Sequence, residues 1–478
     1  MSNNTRFRIN DMKSRLFTLP LLTAILFGLL AVSCSKEQKL LDVIPSSVDI
    51  VGSVRLKSVL DKAGCRYEND AAVVPAGMDA PERLTAIVNL IGCMDASGVC
   101  NVDETYWGQS GEGKFFAVLS VSDRKKFKEA TAPEINWADE TGGYTCGKVG
   151  TMAVLLDDER VWFTTEKPSE AVKVIEGLMD DAKKSAIGAM TGLVQLLAED
   201  NLLNIAARQG NAEKNKKGAK GENPNLEVKW ATLTLNVNDN KLVGNSSMIE
   251  ADGKPVAVAG MQEINPAVLA YVPGNFNIAL GFGITPEFDW SVLTAAIGTF
   301  GGFQTQGMIS AVIPYLQSVD GTVLFAAGPA TPEAYTDPDF GNWQFIAMVH
   351  LPQQKINDVM GMMRSSMFMA GVSPKDVGNG VMMIPQYGMN IYLGNVDGYL
   401  AVSNFPFESG RQNSLAPVFG GKVGALSFSL PTLKVLGGGM PDYGLGVKVQ
   451  MNPDNAVGEI NLTGTDRPIL EVLLEALV

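Results

Sequence analysis

Val43-Ile44-Pro45-Ser46-Ser47-Val48-Asp49-Ile50-Val51-Gly52-Ser53-Val54 opens the folded part of this chain, and it has an echo. Its alternation reads as a strand, and Lys57–Gly64 behind it as a short helix. Far downstream stands Tyr271-Val272-Pro273-Gly274-Asn275-Phe276-Asn277-Ile278-Ala279-Leu280-Gly281-Phe282, followed by helical Phe288–Ile297. Pro45 and Pro273 hold the same place relative to their strands.

The echo continues in order. An apolar-faced helix at Arg83–Cys93, a turn at Asp95–Gly98 and a strand at Val99–Val102 answer to a helix at Met308–Gln317, a turn at Asp320-Gly321 and a strand at Thr322–Ala327. Phe115–Leu119 matches Phe345–Val349. A helix follows each: Arg124–Ala130 behind a capping Asp123, and Lys355–Met369. Hairpin patterns Met152–Leu156 with Val161–Thr165, and Met389–Leu393 with Tyr399–Ser403, come next. Closing hairpins end the two halves: Ala231–Val237, a turn at Asn238-Asp239-Asn240 and Leu242–Ile249 in the first, Leu445–Met451, a turn at Asn452-Pro453-Asp454-Asn455 and Val457–Leu462 in the second. Self-similarity at long period decides architecture. The expected fold is α+β: two pseudo-repeated lobes, 43–258 and 265–478, each a mainly antiparallel sheet with hairpins packed by helices. One insertion is specific to the first lobe, a long helical region over Pro168–Arg208. It runs into a basic, glycine-rich segment, Glu213–Gly221, read as a mobile loop near 210–224.

Ahead of the lobes the chain reads as an export signal. Arg6, Arg8, Lys13 and Arg15 precede the apolar run Leu16–Val32, and Ala31-Val32-Ser33-Cys34 closes it. Small residues before a cysteine form a lipobox. The signal peptide is then 1–33, Cys34 is the lipidated first residue, and 34–42 is a tether. Met12 is an alternative start. The thiolate is the nucleophile that takes the diacylglyceryl group. Each buried CH₂ is worth about 0.8 kcal/mol, so several acyl chains hold a protein stably without a span. A retained transmembrane helix is the alternative, opposed by Pro20, Gly28 and the closeness of Cys34. The expected location is the outer membrane, with the periplasmic or surface-exposed face open.

The chain of 478 residues carries a formal charge of −13. Residues 1–33 hold four basic residues and one acid, which leaves −16 on the remainder. That argues against nucleic acid and against electrostatic docking on anionic lipid. Beyond Cys34 the cysteines are Cys65, Cys93, Cys100 and Cys146. Four thiols in an exported chain permit two disulfides, Cys93–Cys100 being the easiest to close, or stand as inert thiols. Their spacing does not suit a metal, and no cofactor motif is present.

The lipobox ending in Cys34-Ser35-Lys36, the Val43-Ile44-Pro45-Ser46-Ser47-Val48 opening and the duplicated α+β layout together resemble the uncharacterised lipoprotein families of Bacteroidetes-type envelopes. That resemblance implies an envelope lipoprotein of unknown activity and brings no catalytic residues.

Candidate sites are few. His350 is the only histidine, and no local acid and nucleophile accompany it. Gly108-Gln109-Ser110-Gly111-Glu112 is not a nucleophile elbow. No catalytic residue is assigned, and the chain reads as a non-enzymatic binding or assembly component. A carbohydrate- or peptide-binding role in a cleft between the lobes is the alternative, and a carboxylate-pair hydrolase a third. Two stretches combine acids with aromatics before a core strand: Asp103–Gly108, with Tyr106 and Trp107, and Tyr335–Trp343, with Tyr335, Asp337, Asp339 and Trp343. As loops they would suit sugar stacking or capture of a cationic peptide. The implied partners are the membrane, through the lipid, and an envelope protein or glycan. Met360, Met363 and Met367 share a helical face, which is core spacing; a methionine-rich partner groove is the next reading and soft copper(I) ligation the last.

Overall fold

A computed structural model describes residues 40–75, 82–110, 113–209, 228–290, 317–331, 342–369, 371–386, 388–432 and 442–477. Contacts divide the chain into two units: one reaching Val256 and resuming at Arg467, the other Ala257–Asp466.

The first unit is α+β. Its elements are β1 (Ile50–Val54), α1 (Leu56–Lys62), β2 (Arg66–Glu68), β3 (Ala71–Val73), α2 (Glu82–Ala96), β4 (Thr105–Gln109), β5 (Phe115–Ser120), α3 (Arg124–Thr131), β6 (Asn136–Thr141), β7 (Tyr144–Val149), β8 (Met152–Leu156), β9 (Arg160–Thr164), α4 (Pro168–Lys184), α5 (Thr191–Ala198), β10 (Leu203–Arg208), β11 (Lys229–Asn238) and β12 (Lys241–Glu250). The strands pair antiparallel in the order β12–β11–β10–β1–β4–β5–β9–β8–β7–β6. Both faces of this sheet are covered, so its middle strands are apolar throughout rather than alternating. Phe115–Leu119 of β5 is buried at every position. Trp107, Phe115, Ala117 and Leu119 share one core with α2 and with Phe127 of α3. Tyr106, Phe116, Val118, Trp162 and Trp230 share the other with Ile175 of α4 and Leu193 of α5.

The local signals are those of the sequence. Asp123 caps α3, its carboxylate accepting from Lys126 N–H at 3.0 Å. Asp239 and Asn240 take φ of 49° and 59°, the left-handed pair that closes a two-residue hairpin between β11 and β12.

The second unit is also α+β, with β13 (Met261–Gln262), β14 (Ile278–Ile284), β15 (Gly321–Pro329), β16 (Trp343–His350), α6 (Gln353–Met369), β17 (Lys375–Gly378), β18 (Val381–Gln386), β19 (Met389–Val396), β20 (Tyr399–Ser403), α7 (Ala416–Phe419), β21 (Gly424–Leu430), β22 (Gly444–Met451) and β23 (Asn455–Thr463). Its antiparallel order is β23–β22–β21–β14–β15–β16–β20–β19–β18–β17, with β13 added at the end of β14. One core contains Ala279, Leu324, Ile346, Met348 and Phe419. A second contains Ile356, Met360, Met367, Met382 and Leu393.

Four expectations change. The strand expected at Val99–Val102 lies at Thr105–Gln109, because β1 offers its free edge to those residues in register Gly52–Trp107. Leu203–Arg208 is not the end of a long helix but β10, held between β1 and β11. The tether stops short of residue 42, since Leu40 and Leu41 are already buried in the first unit. The last helix, α8 (Ile469–Leu477), belongs to the first unit rather than to a second lobe running to the end. Asn240 caps it by accepting from Ile469 N–H at 2.7 Å, and Leu474 is buried in the core to which α1 and α2 contribute. The segment near 210–224, the expected helix at Met308–Gln317 up to residue 316, and Cys34 with its signal lie outside the described residues.

Candidate functional site

Strand β4 decides the fate of the first aromatic candidate. Successive strand residues point to opposite faces, and both faces are covered here. Tyr106 is 2% exposed in one core, and Trp107 is 1% exposed in the other, stacked on Phe115 at 5.6 Å. The expectation of a ligand-binding loop is therefore corrected: these rings are packing groups. Trp343 opens β16 opposite Pro329 and is half-buried. Tyr335, Asp337 and Asp339 lie outside the described residues.

Of the two readings of the cysteines, disulfides or inert thiols, the described structure has the second: Cys65, Cys93, Cys100 and Cys146 are free thiols. Cys93 donates to Leu90 O at 3.1 Å and Cys100 to Met94 O at 3.4 Å. Burial pushes the Cys93 thiol up to about 12 and the Cys65 thiol up to about 11, with the charge of Glu471 adding to the latter. Both stay protonated at neutral pH, the inert-thiol alternative. His350 ends β16 with Nδ1 against Asp320 O and its ring edge-on to Tyr399 at 5.2 Å. The methionine face packs: Met360 and Met367 are buried and Met363 lies against the same core. Among the described residues no group of three or more His, Cys, Asp or Glu is placed to hold a metal.

Two concavities among the described residues of the first unit are large enough to admit a small molecule. The larger, about 530 Å³, lies between the β6–β7 turn, the β8–β9 turn and α4. Asp157, Asp158, Glu159, Glu176 and Asp180 line it against Arg160 and Lys183. Most of that charge is spent locally. Asp157 accepts from Arg160 Nε at 3.2 Å, Asp158 from Arg124 at 3.1 Å, and Asp180 from Lys183 at 2.8 Å. Burial, with Asp157 and Glu176 nearby, raises the Tyr144 phenol. The surplus is negative, so the cleft suits a cation better than an anion.

The smaller, about 300 Å³, is bounded by α1, α2 and the β2–β3 hairpin. Leu60, Val88 and Ile91 give it apolar walls, and Lys57, Asp61 and Asp95 bring charge to it. Tyr67 closes over Gly92, where a Cβ would come within 2.0 Å of the phenol ring. Lys57 donates to Asp95 at 2.7 Å, which raises the lysine. Partial burial lifts the Asp61 carboxyl, with Asp103 and Asp95 adding to it. Apolar walls with a few convergent polar groups form the commoner ligand-site pattern. Sequence reasoning missed this cluster. Lys57 and Asp61 at i,i+4 on a helix were a readable pair, but Asp95 joins them only through tertiary packing.

No family model matches the chain, and no curated protein matches it significantly. Among solved structures it is similar to crystal form I of TP0453, at 11% identity and a TM-score of 0.24 over 45% of this chain and 79% of that one. Crystal form IV of TP0453 gives 12% identity and 0.26 over 44% and 79%.

Proposed function

We propose that this chain is a lipid-anchored outer-membrane protein that binds or assembles with other envelope components, and that its body is an internal duplication. The observation that carries the first part is Ala31-Val32-Ser33-Cys34 at the end of the run Leu16–Val32. The resemblance to Bacteroidetes-type lipoproteins belongs to the same reading. The duplication is supported by strand order. The sheet of the first unit is reproduced when β1, β4 and β5 are replaced by β14, β15 and β16, β6–β9 by β17–β20, and β10–β12 by β21–β23. Helices α3 and α6 occupy the same connection in the two orders.

Substitution of Cys34 by Ala tests the anchor. The wild type pellets with membranes and incorporates labelled palmitate; the variant does neither. A variant that still pelleted like the wild type would refute the reading.

Binding rather than turnover is favoured because the polar groups at hand are already engaged, Asp95 by Lys57 and His350 by Asp320 O. A glycan- or peptide-binding role retains Trp343 as its one described aromatic. A carboxylate-pair hydrolase has one observation in its favour, that Asp61 and Asp95 line the same cavity. Purified protein tested on chromogenic glycosides checks it: turnover lost in Asp61→Asn supports it, and no turnover by the wild type removes it.

A further inference from the structure

The distance between the lipid and the fold is set by a count of residues. Leu40 is 1% exposed and Leu41 0%, both in the core shared with α4 and α5. The packed body is therefore under way by residue 40, and at most Ser35–Lys39 separate it from Cys34. Whatever conformation those residues take, six steps between successive Cα atoms span at most about 22 Å. A compact body of roughly 220 residues has a radius of gyration of about 17 Å and a diameter about twice the tether or more. Most of its surface cannot reach the plane of the lipid.

The surface that can reach it is defined by the contacts of residues 42–46. Pro45 forms a bridge with Ala186, and Ser46 N–H donates to Ser185 O at 2.9 Å. Ser46 Oγ donates to Ser185 Oγ at 2.7 Å, and Ile187 N–H donates to Ile44 O at 2.9 Å. Gly188 sits directly on Asp42, where a Cβ would lie 2.0 Å from Oδ1. The entry of the chain is thus pinned to the corner where α4 ends and α5 begins. Exposed around that corner are Asp42, Lys183, Lys184, Ala189 and Thr191.

Resting on the lipidation of Cys34, we infer that the first unit is held in a fixed attitude, with the corner of Asp42, Lys184 and Ala189 against the lipid surface. Its partner there is the headgroup layer. The tether imposes the contact, since the strong negative charge of the chain opposes electrostatic docking.

The test uses acylated full-length protein in phosphatidylethanolamine–phosphatidylglycerol vesicles that carry a headgroup-attached quencher. In a Cys146→Ser background, Lys184→Cys or Lys128→Cys carries the fluorophore; Lys128 lies exposed on α3, packed over the opposite face of the sheet. The Lys184 probe should be quenched several-fold more than the Lys128 probe. A Gly/Ser insert of about 20 residues after Lys39 adds a contour of about 70 Å and should abolish the difference. Equal quenching at the two sites with the native tether, in vesicle-bound protein, overturns the inference, as does a difference that survives the insert. Failure of the anchor shows separately: Cys34→Ala protein would then float with the vesicles as the wild type does.

Discussion

Replacing Gly52 with Ala places a methyl group where the fold has put an indole. Gly52 lies opposite Trp107 in the β1–β4 register. A Cβ there would stand 2.4 Å from Trp107 Cε2 and 2.5 Å from Cζ2. The indole has nowhere to go, being 1% exposed and stacked on Phe115 with 13° between the planes. Overpacking of this kind costs about 1–3 kcal/mol, and removing a strand glycine returns about 0.5–1 kcal/mol. The net expectation is a loss of about 1–2 kcal/mol. For a unit of this size that lowers the melting temperature by about 2–8 °C. Trp107→Ala alone removes a fully buried ring and should cost about 3–5 kcal/mol. In that background Gly52→Ala should become neutral or stabilising, a coupling of about 1–3 kcal/mol. Urea unfolding followed by near-ultraviolet circular dichroism measures all four corners of the cycle. Additive effects would show that the two positions do not touch and would sink the assignment of Trp107 to the core.

Thiol-reactive disulfide reagent at pH 8 should modify Cys146 first and leave Cys65, Cys93 and Cys100 untouched until the protein unfolds. Because the Cys65 and Cys93 thiols are raised in the fold, to about 11 and about 12, they favour the folded state while protonated. That contribution is complete below the ordinary thiol value of about 8.5 and is lost as pH climbs through the raised values. Equal urea midpoints at pH 8 and pH 10.5 in a protein lacking other changes would speak against it. Asp123→Ala removes the α3 cap and should cost about 1 kcal/mol by denaturant melting, with Asp123→Ser restoring most of it. Leu474→Ala should destabilise the first unit by about 2–5 kcal/mol and leave amide exchange in β14–β16 unchanged; a loss confined to the second unit would contradict the placement of α8.

Much of the fold was legible because its signals are local. The Asp239-Asn240 turn, the Asp123 cap, the apolar Phe115–Leu119 run and the paired hairpins each need only their own few residues. What escaped depends on neighbours. Thr105–Gln109 follows Asp103 and Glu104, and acids next to Tyr106 and Trp107 look like a solvent loop until β1 and β5 are seen on either side. Leu203–Arg208 continues an apolar helical stretch in composition, and only its pairing with β1 and β11 makes it a strand. The candidate pocket was hidden for the same reason: Lys57 and Asp95 meet through the packing of α1 and α2, which no spacing rule encodes.

Because α8 is the final element and closes the core of the first unit, that unit is discontinuous in sequence, whereas the second is one uninterrupted segment. During synthesis, which proceeds from the N-terminus, Ala257–Asp466 can fold as soon as that segment has emerged. The first unit must wait for Arg467 and the residues after it, although its strands emerged earlier. Its contacts across the length of the chain raise its contact order and slow its closure. The first unit is thus the last to finish folding, and during that interval its Asn240 cap and its Leu474 site stand open to any chaperone that meets the growing chain.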